Sequence, residues 1–450
     1  MPGATLSRWT LSYFAAAMLF LIAAEVLMTL GFGYPAAALQ APETLIVVHF
    51  ITIGWLSLLM CGALFQFVPV LVAKPIYSNR LPLPALLLIL AGLVPLTRSF
   101  LQLGGYLSFE SHCYVLASVL LGSGFTLVLW NLGRTLWDAR PLTLPARFVT
   151  AGLFCLAATV TFGIVFLLIF GGFVTVPFLL DLKAQGVPLH VIAGLGGWLT
   201  FTAMGVSHRL LAMFMLSPEL DGAPTRWTLY LGTLALTIVI VGGTAAIGIG
   251  YGLNFVLIAA CVTGLACLGL YGRDALQLYR KRVRRAIELN SRMASIALIN
   301  FAVAVALTIA CAAFGVLERY AGALVFLFTF GWLTGLGLAK LYKIIAFVTW
   351  LECYGPVLGK TPTPRVQDLV VETRAVKWFW LHFAAVAIGT LCLLAEASLP
   401  FRVAAAAMTV ATAGIAFELL RTRRLVNVSD ALRLPAGARK PRLLFTFVPG

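Results

Sequence analysis

Long apolar runs follow one another along the whole sequence and restrict its fold more than any other feature. A helix needs about 20 mostly apolar residues to cross the roughly 30 Å hydrocarbon core of a bilayer. Charged residues make up only 11% of the chain, against roughly 25% in an average soluble domain. We therefore predict an all-α, polytopic membrane protein with twelve spans, numbered 1 to 12, at 9–34, 43–72, 82–105, 112–134, 148–173, 187–216, 227–249, 251–271, 293–316, 320–350, 376–395 and 400–420.

The apolar runs also set the expected domain organisation. The first run is too long for the core of a signal peptide and lacks a small-residue cleavage site, so we retain it as span 1. No segment between spans is long enough to fold by itself. We assign one transmembrane domain at 1–420 and a basic, mostly irregular tail at 421–450.

The net charge of +16 is explained by topology and needs no nucleic-acid partner. If the N-terminus is cytoplasmic, all but four of the 32 Lys and Arg residues fall on the cytoplasmic side, as the positive-inside rule requires. The four on the outer side are Arg98, Lys183, Arg319 and Arg402. We therefore expect both termini to be cytoplasmic and the protein to be integral to a bacterial inner membrane.

One loop is strongly basic. The basic run 280–285 is typical of a topology-setting loop, and it also suits a lipid-headgroup or regulatory site.

The eight cysteines stand singly, without the CxxCH of covalent haem attachment or the spacing of a zinc finger. We interpret them as small core residues.

A short motif recurs in spans 2, 6 and 10: Gly54-Trp55-Leu56, Gly197-Trp198-Leu199 and Gly331-Trp332-Leu333. The Gly-Trp pairs lie 143 and 134 residues apart, and a small residue follows each glycine at the eighth position. Shared helix packing would explain one such pair, whereas regular recurrence indicates an internal repeat. The motif predicts repeat units at about 9–134, 148–271 and 293–420, arranged with approximate threefold symmetry about the membrane normal.

Histidines are the strongest candidates for a metal or haem site, because such side chains are costly inside a bilayer. His49 and His190 lie at matching depth in spans 2 and 6, and neutral imidazole suits iron or copper. His49 precedes its motif glycine by five residues, and His190 precedes its own by seven. This difference of two residues rotates the direction of the side chain around the helix axis by about 200°. This register suits one ligand shared between the two spans. The alternative is two unrelated histidines bonded to helix carbonyls.

Other polar residues have weaker indications. His112 opens span 4 beside Glu110, where it could hydrogen-bond or bind a metal. Arg98 could snorkel outward or pair with Glu110, or it could hold haem propionates. His208 and His382 are expected to anchor the cytoplasmic boundary.

Segments 49–81 and 189–205, which carry two of the motifs and both candidate histidines, resemble subunit I of the haem-copper oxidases, especially the cbb3-type and nitric-oxide-reductase branch. The resemblance implies a cytoplasmic N-terminus, three pores around a threefold axis, and haem ligands in the outer half of the membrane. It is weaker at span 10 and elsewhere consists mainly of the helix count.

The chain departs from that family at its metal ligands. Where the family has haem or copper histidines, this sequence has Val47, Ile192, Leu324 and Phe326, and span 7 has no paired histidine. We therefore do not expect reduction of oxygen or nitric oxide. In that family, the position five residues before the motif glycine of one repeat faces the position seven residues before the motif glycine of the next. This pairing rule implies that His49 faces His190 around a b-type haem.

These observations lead to a divergent haem-copper-oxidase-like protein that serves electron transfer, or haem or gas sensing, with a respiratory-chain or periplasmic redox partner. Copper is a second candidate cofactor. The alternatives are a copper-handling or small-solute transporter on the same scaffold, in which His112 or His208 would bind the metal, and an assembly partner of a respiratory complex.

Overall fold

The computed structural model describes residues 7–446, which are mostly helical and contain no strand. Twelve of these helices are long and apolar enough to cross a membrane, so the predicted polytopic fold is confirmed. Spans 1 to 12 are Thr10–Leu30, Pro42–Val72, Pro82–Leu103, His112–Asp138, Leu144–Phe170, Val187–Met215, Ala223–Gly248, Asn254–Arg280, Leu289–Ala313, Leu317–Val357, Glu372–Leu394 and Ser398–Arg423. The largest differences from prediction are at the polar ends, where span 8 continues to Arg280 and span 10 to Val357.

Each copy of the repeated motif lies in a π-helical segment within its span. These segments are Phe50–Ser57 in span 2, Ile192–Phe201 in span 6 and Leu327–Thr334 in span 10. A further short one, Ile238–Gly242, lies in span 7. Since π-helical turns are rare and concentrate at functional sites, their recurrence at one motif supports the internal repeat.

The motif glycines allow the second helix of each repeat to approach the first. A Cβ atom at Gly54 would lie 2.4 Å from the ring of Phe20, and one at Gly197 would lie 2.5 Å from Cys155 Sγ. At Gly331 the nearest atom would be Asn300 Cβ, at 3.0 Å. Spans 2, 6 and 10 therefore pack on spans 1, 5 and 9 through the same small residue.

The motif tryptophans are buried in all three spans, at 0–1% exposure. Trp55 donates from Nε1 to Thr334 Oγ1 at 2.9 Å, and Trp332 stacks on Phe301 with ring centroids 4.7 Å apart. A buried indole needs an acceptor for its N–H group, and the hydroxyl of Thr334 supplies it for Trp55.

The described residues form two compact units. One comprises residues 64–286 and holds spans 3 to 8 together with the end of span 2. The other comprises residues 7–63 and 287–446, and in it the C-terminal tail packs on the helices. Tyr354 donates to the carbonyl of Arg433, and the amide of Thr446 donates to the carbonyl of Arg8. The single-domain assignment and the repeat boundaries stay predictions.

The second small residue of the repeat gives a direct test of helix packing. A Cβ atom at Gly205 would lie 2.2 Å from Phe148 Cβ and 3.2 Å from the carbonyl oxygen of Pro145. We expect Gly205→Ala to lower the free energy of unfolding by about 1–3 kcal/mol, because span 6 must move away from span 5. Thermal unfolding in detergent measures this. Gly269→Ala is the matched control because nothing lies within 4 Å of a Cβ there, and equal melting of both variants would contradict the packing role.

Candidate functional site

The two candidate haem ligands lie immediately before π-helical segments. His49 is the last residue of the α-helical part Pro42–His49 of span 2, and the π-helical segment begins at the next residue. His190 lies two residues before the π-helical segment of span 6. Both spans contain a π-helical segment that begins between the histidine and the motif glycine, and the pairing of the two histidines stays a prediction.

Each of these histidines bonds a backbone carbonyl through Nδ1. His49 Nδ1 lies 2.7 Å from the carbonyl oxygen of Leu45, one turn earlier in its own helix. His190 Nδ1 lies 3.1 Å from the carbonyl oxygen of Thr159 in span 5. A carbonyl only accepts hydrogen bonds, so Nδ1 carries the hydrogen and the lone pair of a neutral ring lies on Nε2.

This arrangement agrees with both interpretations of the two residues. Carbonyl bonding is what unrelated intramembrane histidines would show. It is also the contact that fixes the tautomer and ring direction of metal-ligating histidines, whose other nitrogen binds the metal. The donor chemistry of His49 and His190 therefore fits axial ligation of haem iron.

Arg98 is engaged by a carboxylate. Its Nη2 lies 2.7 Å from Glu110 Oε2, and both side chains are partly exposed. This is the ion pair that the sequence offered as an alternative to binding of haem propionates, which stays a prediction. His112 Nε2 lies 3.4 Å from the same oxygen, so His112 also contacts Glu110 as anticipated.

His208 and His382 are buried among the spans, and their place at the cytoplasmic boundary stays a prediction. His208 is 5% exposed and its Nε2 lies 3.3 Å from Asp274 Oδ2 in span 8. His382 is fully buried in span 11 and contacts the carbonyl oxygen of Phe330 through Nε2. Both contact aromatic rings: His208 contacts Phe148 and Tyr271, and His382 contacts Phe383.

Two buried acids were not recognised as candidates from the sequence. Asp274 was placed outside span 8, because the apolar run ends before the helix does. Glu25, in the second half of span 1, is completely buried and accepts a hydrogen bond from Thr412 in span 12 at 2.9 Å. A lone acid inside an apolar run was the available signal for Glu25, since such residues rarely occur in membranes without a partner.

The family's usual ligand positions hold packed side chains. Val47, Leu324 and Phe326 are each 6% exposed. The ring of Phe326 contacts Phe330 and Phe401, with centroids 4.9 and 5.3 Å apart. The side chains of Val47, Leu324 and Phe326 therefore lie in the packed core between helices.

Comparisons with known proteins identify the fold. Neither protein-family models nor curated protein sequences give a match to the chain. Among solved structures, this chain is similar to a haem-copper terminal oxidase dimer that was studied for its catalytic mechanism. The match has a TM-score of 0.58 and covers 97% of this chain and 85% of the oxidase chain. The sequences are 13% identical. This chain therefore has a membrane scaffold of the kind found in that haem-copper terminal oxidase.

Proposed function

We propose that this protein is a membrane cytochrome that binds one b-type haem through His49 and His190 and transfers electrons or senses haem or a gas. The register of these two histidines on repeat-related helices carries the proposal. Their carbonyl-bonded Nδ1 atoms and the fold shared with a haem-copper terminal oxidase support it. The proposed location is the outer half of a bacterial inner membrane, with both termini cytoplasmic.

The ligand set determines the expected chemistry. A haem supplies reversible one-electron transfer when it is bound, and two axial histidines would leave its iron without an open position. The carbonyls of Leu45 and Thr159 would hold the two imidazoles in the required tautomer and orientation. The apolar side chains at the family's other ligand positions give no support for oxygen reduction.

We expect the purified protein to contain about one haem per chain with the absorption spectrum of a six-coordinate b-type cytochrome. Each of His49→Gly and His190→Gly should lose the six-coordinate spectrum, because each removes one axial nitrogen. Absorption spectra and haem content per chain measure the effect. Added imidazole should restore the spectrum of a variant that remains folded, which separates ligation from a structural role.

His112→Ala is the matched control, since His112 is exposed and lies outside the proposed haem site. Its haem spectrum should equal that of the unchanged protein. A colourless, iron-free preparation would refute the haem proposal. Copper without haem would favour the transporter hypothesis.

A further inference from the structure

Three potential metal ligands of different chemistry converge at the junction between spans 3 and 4. Glu110 lies in the connection, and His112 and Cys113 open the helix of span 4. One ligand atom from each lies within 4.8 Å of the others. The imidazole is largely exposed, the carboxylate is partly exposed and the thiol is buried. A cation could therefore approach from the aqueous side.

The two distances from Glu110 Oε2 suit a tetrahedral site. His112 Nε2 lies 3.4 Å and Cys113 Sγ 3.7 Å from Glu110 Oε2. Ligand atoms held about 2.0–2.3 Å from a tetrahedral Zn²⁺ lie roughly 3.3–3.8 Å from one another. Glu110 therefore lies at coordination spacing from both His112 and Cys113, and the ligand atoms of His112 and Cys113 lie within 4.8 Å of each other.

Gln102 provides a second, independent indication. Its side chain is 6% exposed, and its Nε2 lies 3.8 Å from Cys113 Sγ. Its Oε1 is buried and has no hydrogen-bond partner among the described residues. Leaving a buried amide oxygen unsatisfied costs about 1–3 kcal/mol. A cation beside Cys113 would remove this cost because the amide could turn its oxygen toward the metal.

Arg98 sets the charge balance of this cluster. Its guanidinium bonds Glu110 Oε2 at 2.7 Å and so fixes the carboxylate next to the thiol. A carboxylate and a thiolate together neutralise a divalent cation. Arg98 then remains as an outer partner that orients one ligand, as carboxylate ligands in metal sites commonly require.

We propose that Glu110, His112 and Cys113 bind a divalent cation of the zinc type at this end of spans 3 and 4. Thiolate, imidazole and carboxylate are the ligands that zinc uses in proteins. On binding, the thiol of Cys113 forms the sulfur–metal bond and releases its proton to water. This site uses neither His49 nor His190, so it is independent of the proposed haem.

Zinc and cobalt binding to protein purified without a polyhistidine tag test this proposal. After treatment with a chelator and dialysis against Zn²⁺, the unchanged protein should retain one zinc per chain that Cys113→Ser and His112→Ala do not retain. Gln102→Leu should weaken zinc binding by about 10-fold or more. With Co²⁺ as the spectroscopic probe, the unchanged protein should show a thiolate-to-cobalt charge-transfer band that Cys113→Ser lacks.

Cys261→Ser is the matched control, because Cys261 is an exposed cysteine of span 8 outside the cluster. It should bind zinc and cobalt like the unchanged protein. Zinc retention by Cys113→Ser equal to that of the control would overturn the proposal, and so would a cobalt complex of the unchanged protein without the charge-transfer band. His112 is exposed, so loss of zinc in His112→Ala will not reflect unfolding.

Discussion

Replacing Arg423 by methionine should lower the free energy of unfolding by about 3–5 kcal/mol, the usual cost of breaking a buried ion pair by removing one partner. Arg423 ends span 12 with 4% exposure, and its guanidinium bonds the carboxylate of Glu352 in span 10, itself 3% exposed. Methionine keeps the apolar length of the side chain. The variant therefore tests the charge and hydrogen bonds of Arg423 with little change in its volume.

Arg423 also fixes the C-terminal tail. Its Nε donates to the carbonyl oxygen of Arg442 at 2.6 Å, and its Nη1 donates to Thr349 Oγ1 at 3.2 Å. One side chain thus joins spans 10 and 12 to a tail that has little regular structure. We expect Arg423→Met to expose the tail to protease as well as to lower the unfolding temperature.

Arg424→Met is the matched control, since the neighbouring Arg424 is exposed. It should unfold and be cleaved like the unchanged protein. The double variant Arg423→Met/Glu352→Gln should recover part of the lost stability, because the buried carboxylate is then neutral. Equal melting temperatures of Arg423→Met and Arg424→Met in detergent would show that the buried pair is not stabilising.

The number and order of the spans were predictable because each apolar run must cover the thickness of a membrane. Their polar ends were not, since a helix continues beyond the membrane wherever local contacts stabilise it. Span 10 illustrates this: hydropathy ended it at residue 350, whereas the helix extends into the tail contacts made by Tyr354.

The repeated motif could be found by comparison of the spans, but its physical role required side-chain positions. The sequence indicates that Gly54, Gly197 and Gly331 are equivalent. Only the structure shows that each lies against the preceding helix and inside a π-helical segment. No residue preference distinguishes a π-helical turn from an α-helical one strongly enough to predict it from a single sequence.

Only part of the candidate site was predictable from the sequence. The register of His49 and His190 follows from helix periodicity, and the contact of His112 with Glu110 follows from their proximity in the chain. Cys113, Gln102 and Asp274 were missed because their importance depends on neighbours that only folding brings close. Asp274, for example, is 66 residues from His208 in the sequence.

His208→Leu should destabilise the protein by about 3–5 kcal/mol, since it leaves the carboxylate of Asp274 buried without that partner. Asp274 is 2% exposed and His208 is 5% exposed. The Nδ1 atom of His208 has no hydrogen-bond partner among the described residues. The imidazole of His208 thus contacts the carboxylate of Asp274 through Nε2, and a leucine side chain cannot make this hydrogen bond.

A double-mutant cycle separates this pair from simple packing. The variant His208→Leu/Asp274→Leu should be more stable than His208→Leu, because it removes the buried charge together with its partner. Arg209→Gln is the control for a charge change in span 6, since Arg209 forms a partly exposed pair with Glu219 and should contribute at most about 1 kcal/mol. Thermal unfolding in detergent measures all three. A double variant no more stable than His208→Leu would mean that Asp274 is not an uncompensated charge, and the stabilising role assigned to the pair would be wrong.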